Sequence, residues 1–219
     1  MRIEKDFLGE IEIPDELYYG VQTTRALHNF SITGHVINED FIVALAIVKA
    51  AAARANMRTG RMPAVIGGAI VKAAEEIIAG QWQNQFVVDC IQGGAGTSMN
   101  MNANEVIANR ALEILGEPKG NYALISPNNH VNMAQSTNDV IPTAIRICTI
   151  RKARKMIEAL AALAAAFEAK GEEFSQVLKM GRTHLQDAVP ITLGQEFQVY
   201  AEAIKRSMGR IELTVQSLH

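Results

Sequence analysis

The chain has 219 residues, of which 48% are hydrophobic and 20% charged, with a formal net charge of −2. That balance belongs to an ordinary globular protein and excludes a disordered one. It gives no electrostatic reason to expect nucleic acid or an acidic membrane as partner. The cysteines, Cys90 and Cys148, make no disulfide framework and lack metal-ligand spacing, so both are expected to be buried thiols in a reducing compartment.

Residues 1–14 read as two short extended pieces around a turn at Gly9, ended by Pro14. They lack the apolar run of a signal peptide, and the longest apolar stretch, Ala159 to Phe167, is too short to span a bilayer. A cytoplasmic protein without membrane contact is expected. Asn38 to Thr59 reads as a helix, with Asn38 as cap and Phe41, Leu45, Val48 and Ala52 at three- and four-residue steps. Gly60 supplies its stop. A second helix should run from near Pro63 to Gly80, and a third from just after Thr97 to Gly116.

Residues 117–136, rich in Pro, Gly and Asn, read as an irregular connection. From Asn138 or Asp139 an alanine-rich pattern runs to Lys170, a helix of about 45–50 Å with Pro142 near its first turn. A last helix should run from Leu193 toward the C-terminus, with Phe197, Tyr200, Ala201, Ile204, Met208, Ile211 and Val215 on one apolar stripe. Two such helices cannot enclose a core alone. The fold is therefore expected to be mainly α: a mixed but mostly helical domain over 1–136, then the first part of a long-helix bundle over 137–219. Its remaining helices would come from later sequence or from another subunit.

Three polar segments interrupt these helices. Gly93 to Ser98 is glycine-rich, opens a helix and carries Thr97; such a turn can admit an anion to backbone N–H groups, although a plain helix cap is the simpler account. Asn100, Asn102 and Asn104 follow it, and buried amides at that density need partners. Gln135 to Asp139 sets Ser136, Thr137 and Asn138 at the mouth of the long helix, again as caps or as donors to a carboxylate. Lys179 to Asp187 holds Arg182, Thr183, His184 and Asp187 in what reads as a loop. Together these are many neutral donors and few ionisable groups. There is no metal pattern, and the glycine-rich run lacks the Lys of a nucleotide-binding loop. No cofactor is expected, and the set fits a small dicarboxylate.

At these residues the chain resembles the aspartase/fumarase superfamily along essentially its whole length. The matching runs are Tyr19-Gly20-Val21-Gln22-Thr23, Gly96-Thr97 with Asn100-Met101-Asn102, Gln135-Ser136-Thr137-Asn138-Asp139, and Gly181-Arg182-Thr183-His184-Leu185-Gln186-Asp187. The alanine in Gly93-Gly94-Ala95-Gly96-Thr97-Ser98 and the threonine in Ser136-Thr137-Asn138 look like the aspartase form rather than the fumarase form.

The resemblance implies an ammonia-lyase that converts aspartate to fumarate through an aci-carboxylate intermediate. Thr97, Ser136 and Thr137 would hold the β-carboxylate. Asn138 and His184 would lie near the amino group, with His184 the one catalytic candidate, and Thr183 would contact the α-carboxylate. It further implies a homotetramer whose sites combine subunits, and a general-base serine on a loop that no segment here matches. The chain then reads as an N-terminal portion, inactive alone. The alternatives are a fumarate hydratase, or a helical fragment that only folds and oligomerises.

Overall fold

The computed structural model describes residues 1–218. It is mainly α-helical, and its contacts divide it into two compact units, Met1–Cys148 and Thr149–His219. The division falls inside a helix, so each unit is taken by itself.

The first unit opens with an antiparallel hairpin, β1 (Arg2–Asp6) and β2 (Gly9–Ile13). Helices α1 (Val21–Asn29), α2 (Glu39–Arg58), α3 (Ala64–Ile78) and α4 (Thr97–Ile114) follow. The Asn38 side chain caps α2 by accepting the Asp40 N–H at 3.0 Å, and Glu39 and Asp40 place negative charge in its first turn. Small residues then let helices approach closely: Ala46, Ala50 and Ala53 of α2 are buried, as are Ala69, Ala73 and Ala74 of α3. Leu45, Ile70, Ile77, Phe86, Ile107, Leu112 and Ile125 fill the core between them.

Helix α4 is buried on every side from residue 102 to residue 109. A helix buried all round cannot show a one-sided apolar stripe, and its polar side chains need internal partners. Glu105 finds them in α1: its carboxylate accepts the N–H groups of Gly20 at 2.8 Å, Gln22 at 2.8 Å and Thr23 at 3.0 Å, and the Thr23 hydroxyl at 2.6 Å. The N-terminus of α1 is thus capped from a distant helix, and burial still pushes the Glu105 carboxyl up from its ordinary value.

Helix α5 (Thr137–Glu173) has 37 residues. Pro142 lies in its second turn, slightly deeper than the sequence implied, where its missing N–H leaves the carbonyl four residues earlier, that of Asn138, without its helical donor.

The second unit holds the later part of α5, then β3 (Leu178–Thr183), β4 (Gln186–Thr192) and α6 (Leu193–Gln216). The segment read as a loop around Gly181 is instead an antiparallel hairpin, Thr183 pairing with Gln186. Gly181 and Pro190 interrupt the two strands, and Val189 and Leu185 are exposed, so alternation gave no clean strand signal. Thr192 and Gln195 form a reciprocal capping box at the start of α6. Phe167, Phe174, Phe197 and Tyr200 cluster with ring centroids 5.7–6.1 Å apart. Cys148 is buried but Cys90 is exposed, contrary to expectation, because it sits at the rim of a surface cleft rather than in the core. No helix among the described residues is long and apolar enough to cross a membrane.

Candidate functional site

The openings of α4 and α5 meet. Gly96, with φ of +86°, is the residue before α4, and a Cβ there would come within 2.9 Å of Ile141 in α5. Glycine is required twice over, for its left-handed backbone and for the close approach. Three residues into α4, the Asn100 amide donates to the Thr137 hydroxyl at 3.1 Å. Thr97, Ser136, Thr137 and Asn138 therefore lie at two adjoining helix openings, where backbone dipoles favour negative charge.

Those openings are not equally free. The Gln92 side-chain oxygen accepts the N–H groups of Ser98 at 2.6 Å and Met99 at 3.2 Å, so it already occupies donors that an anion could have used. Thr97 is exposed, and its hydroxyl makes no hydrogen bond among the described residues. Ser136 accepts the Asn138 N–H at 3.3 Å through its hydroxyl oxygen, a long capping bond that leaves its own proton free to donate. Thr137 likewise accepts from Asn100 and keeps its proton. Both the capping and the donor readings of these hydroxyls are thus compatible in one geometry.

Behind Thr137 lies a network of amides. Asn100 Nδ2 also donates to Asn132 Oδ1 at 3.1 Å. Asn132 Nδ2 donates to the Gln135 carbonyl at 3.1 Å, and Gln135 Nε2 to the Val131 carbonyl at 2.9 Å. The turn between them passes through Ala134 with φ of +58°, an unusual conformation for a residue with a side chain. Asn102 is satisfied by the backbone of Gln85 and Val87, whereas the side-chain oxygens of Asn100 and Asn104 are buried without a partner.

Lys49 of α2 ends this network, and sequence reasoning passed over it. Its ammonium donates to Asn132 Oδ1 at 2.8 Å and Gln135 Oε1 at 3.0 Å. Burial pulls its pKa down to about 7. The signal was present, since Lys49 stands four residues after the buried Leu45 and so on the same helix face.

A surface cleft of about 1110 Å³ opens beside the glycine-rich loop, lined by Gly94, Ala95, Gly96 and Asn138 with apolar Phe41 and Ile141. Of the expected site residues, Asn138 forms part of its wall. Among the described residues, no cluster of His, Cys, Asp and Glu could hold a metal ion.

Thr183 and His184 belong to the second unit, at the end of β3 and in the hairpin turn. His184 and Leu185 both have positive φ, +51° and +61°, in a two-residue connection of the kind that favours Asn-Gly. Both side chains project into solvent. His130, in the short helical turn Pro127–Val131, accepts the Ser126 N–H at its Nδ1 at 2.9 Å, and partial burial lowers its pKa.

Residues 9–219 match the model of a lyase family. The chain belongs to the aspartase/fumarase superfamily of lyases. It is 59% identical over 218 residues to the aspartate ammonia-lyase of Bacillus subtilis (strain 168), covering 100% of this chain and 46% of that protein. It is 46% identical to the aspartate ammonia-lyase of Escherichia coli (strain K12), again covering 100% of this chain and 46% of the relative. Among solved structures it resembles a fumarate lyase:delta crystallin from Brucella melitensis, with TM-score 0.97 and 53% identity over 100% of this chain and 50% of the other. It also resembles a class II fumarase from Schistosoma mansoni, with TM-score 0.93 and 38% identity over 99% of this chain and 46% of the other. The chain spans about half the length of the relatives it matches.

Proposed function

We propose that this chain supplies the carboxylate-binding part of an ammonia-lyase that reversibly eliminates ammonia from L-aspartate to give fumarate. On this reading residues 1–136 are an N-terminal lyase domain and 137–219 the first part of a central helical bundle. The working form is a cytoplasmic homotetramer that takes small dicarboxylates, with neither nucleic acid nor membrane as partner. The supporting relatives are the aspartate ammonia-lyases named above.

The proton lost from the substrate lies on the carbon beside the β-carboxylate and is very weakly acidic. Its removal becomes feasible when the carboxylate accepts the charge as an aci-carboxylate. Thr97, Ser136 and Thr137 are assigned to that carboxylate, because hydroxyl donors fixed there tighten as charge develops. Each such donor is worth about 2–4 kcal/mol in the transition state, by analogy with oxyanion holes. Thr183 is assigned to the α-carboxylate, and Asn138 and His184 to the departing amine. On this reading the general base is a serine on a separate loop, which none of the segments above is assigned to supply.

The observation that carries this reading is the bond from Asn100 to the Thr137 oxygen, which leaves the hydroxyl proton for another acceptor. The test supplies the full-length protein with L-aspartate, and separately with L-malate, and follows fumarate by absorbance and ammonia by a coupled assay. Equal release of fumarate and ammonia from aspartate is expected. Fumarate from malate alone would favour a hydratase, and no product from either would leave a purely structural helical protein. The 219 residues by themselves are expected to give no turnover, since a positioned base is worth about 10²–10⁴ in rate.

A further inference from the structure

Lys49 is wholly buried, and among the described residues its ammonium has no carboxylate partner. Lysine is almost never fully buried without such a pair, because desolvating its charge is costly. An apolar side chain would fill this position in alanine-rich α2 more cheaply. The reason for an amine there must lie in what it holds.

It holds two amide oxygens, Asn132 Oδ1 and Gln135 Oε1, in the turn that leads directly into Ser136 and Thr137. An amide side chain has an accepting end and a donating end of nearly equal shape, so its orientation is set by its partners. With the accepting end of Asn132 fixed toward Lys49, Asn100 must offer its donating end there, and the same Nδ2 then reaches the Thr137 oxygen.

The alternative orientation has an attraction of its own. As placed, Asn100 Oδ1 is buried without a partner. Rotating the Asn100 amide would turn Oδ1 toward Thr137, where it would accept the hydroxyl proton, but would also set it against Asn132 Oδ1 and carry the Nδ2 donors to the unpartnered side. Thr137 would then have no proton to give a substrate. The observed orientation therefore carries a cost, and the Lys49–Asn132 pair opposes its relief.

We propose that Lys49 is a positioning residue: acting through Asn132 and Asn100, it keeps the Thr137 hydroxyl pointed outward as a donor to the substrate carboxylate. This rests on the carboxylate role proposed above for Thr137. It does not depend on charge, since a neutral amine retains N–H donors for both amide oxygens.

A double-mutant cycle in the full-length enzyme tests it, with Lys49→Met and Thr137→Val alone and together, and kinetics normalised to folded protein by thermal melt. Lys49→Met is expected to lower kcat by about tenfold or more with KM within about twofold, the pattern of an interaction made chiefly in the transition state. In the Thr137→Val background the same change should lower kcat by less than about twofold, because the hydroxyl it orients is already gone. Equal effects in both backgrounds, or an unchanged kcat for Lys49→Met, would overturn the proposal while leaving the site reading intact. A normal kcat for Thr137→Val would instead defeat the carboxylate role itself, and this proposal with it. Should Lys49→Met fail to fold, Asn132→Ala cuts the next link and must show the same non-additivity.

Discussion

The two places that carry expected site residues are built in opposite ways. At the openings of α4 and α5, the Thr137 hydroxyl stands in front of groups that fix it, Asn100, Asn132 and Lys49, while Gln92 holds the first N–H groups of α4. At the β3–β4 turn, Thr183 and His184 are exposed on a backbone that enters the left-handed region at His184 and Leu185. The first is preorganised by the chain's own interior. The second is an exposed hairpin tip, with Thr183 paired to Gln186 across the turn.

This contrast can be broken at several points. The largest expected effect is on the interior that supports the first region. Glu105→Ala strands the N–H groups of Gly20, Gln22 and Thr23, each of which costs about 1–3 kcal/mol when buried unsatisfied, so the summed loss should dominate a urea titration. A loss below about 1 kcal/mol would mean that α1 is held by packing alone. Leu45→Ala in the core should cost about 2–5 kcal/mol. Leu213→Ala, at 68% exposure on α6, should change monomer stability by no more than about 0.5 kcal/mol. Equal losses would show that the second unit has a core of its own around Leu213.

Lys49 adds a pH signature to the first region. Its pKa is lowered from 10.5 in the unfolded chain to about 7 in the folded one, so the unfolded chain binds more protons between those values. Stability should therefore rise as pH increases from about 7 toward 10.5, and Lys49→Met should remove that rise. A small effect is also expected at the hairpin tip. Leu185→Gly relieves a positive φ and should shift the thermal midpoint upward or leave it unchanged, within about 1 kcal/mol. A clear fall would mean that the exposed leucine packs on something in solution.

Much of this architecture is legible in the sequence where the determinants are local. Asn38, Pro63 and Gly60 bound helices through caps and breakers that act within a turn, and α2, α3, α4, α5 and α6 all form near their expected limits. Helix α1 went unread because its cap, Glu105, lies more than eighty residues away. The β3–β4 hairpin went unread because exposed strands carry no alternation. The asparagines of α4 were recognisable as buried amides needing partners, yet which groups answer them is a tertiary fact. Lys49 was passed over although it stands four residues after Leu45, on the buried face of α2.

The central claim is that the hydroxyls at the helix openings act on the transition state of a carboxylate substrate. Steady-state kinetics of Thr137→Val in the full-length enzyme, beside a thermal melt, tests it most directly. A transition-state donor predicts that kcat and kcat/KM fall together by about 10²–10³ while stability changes by about 1 kcal/mol or less. A raised KM with unchanged kcat would contradict it and leave Thr137 with ground-state recognition alone.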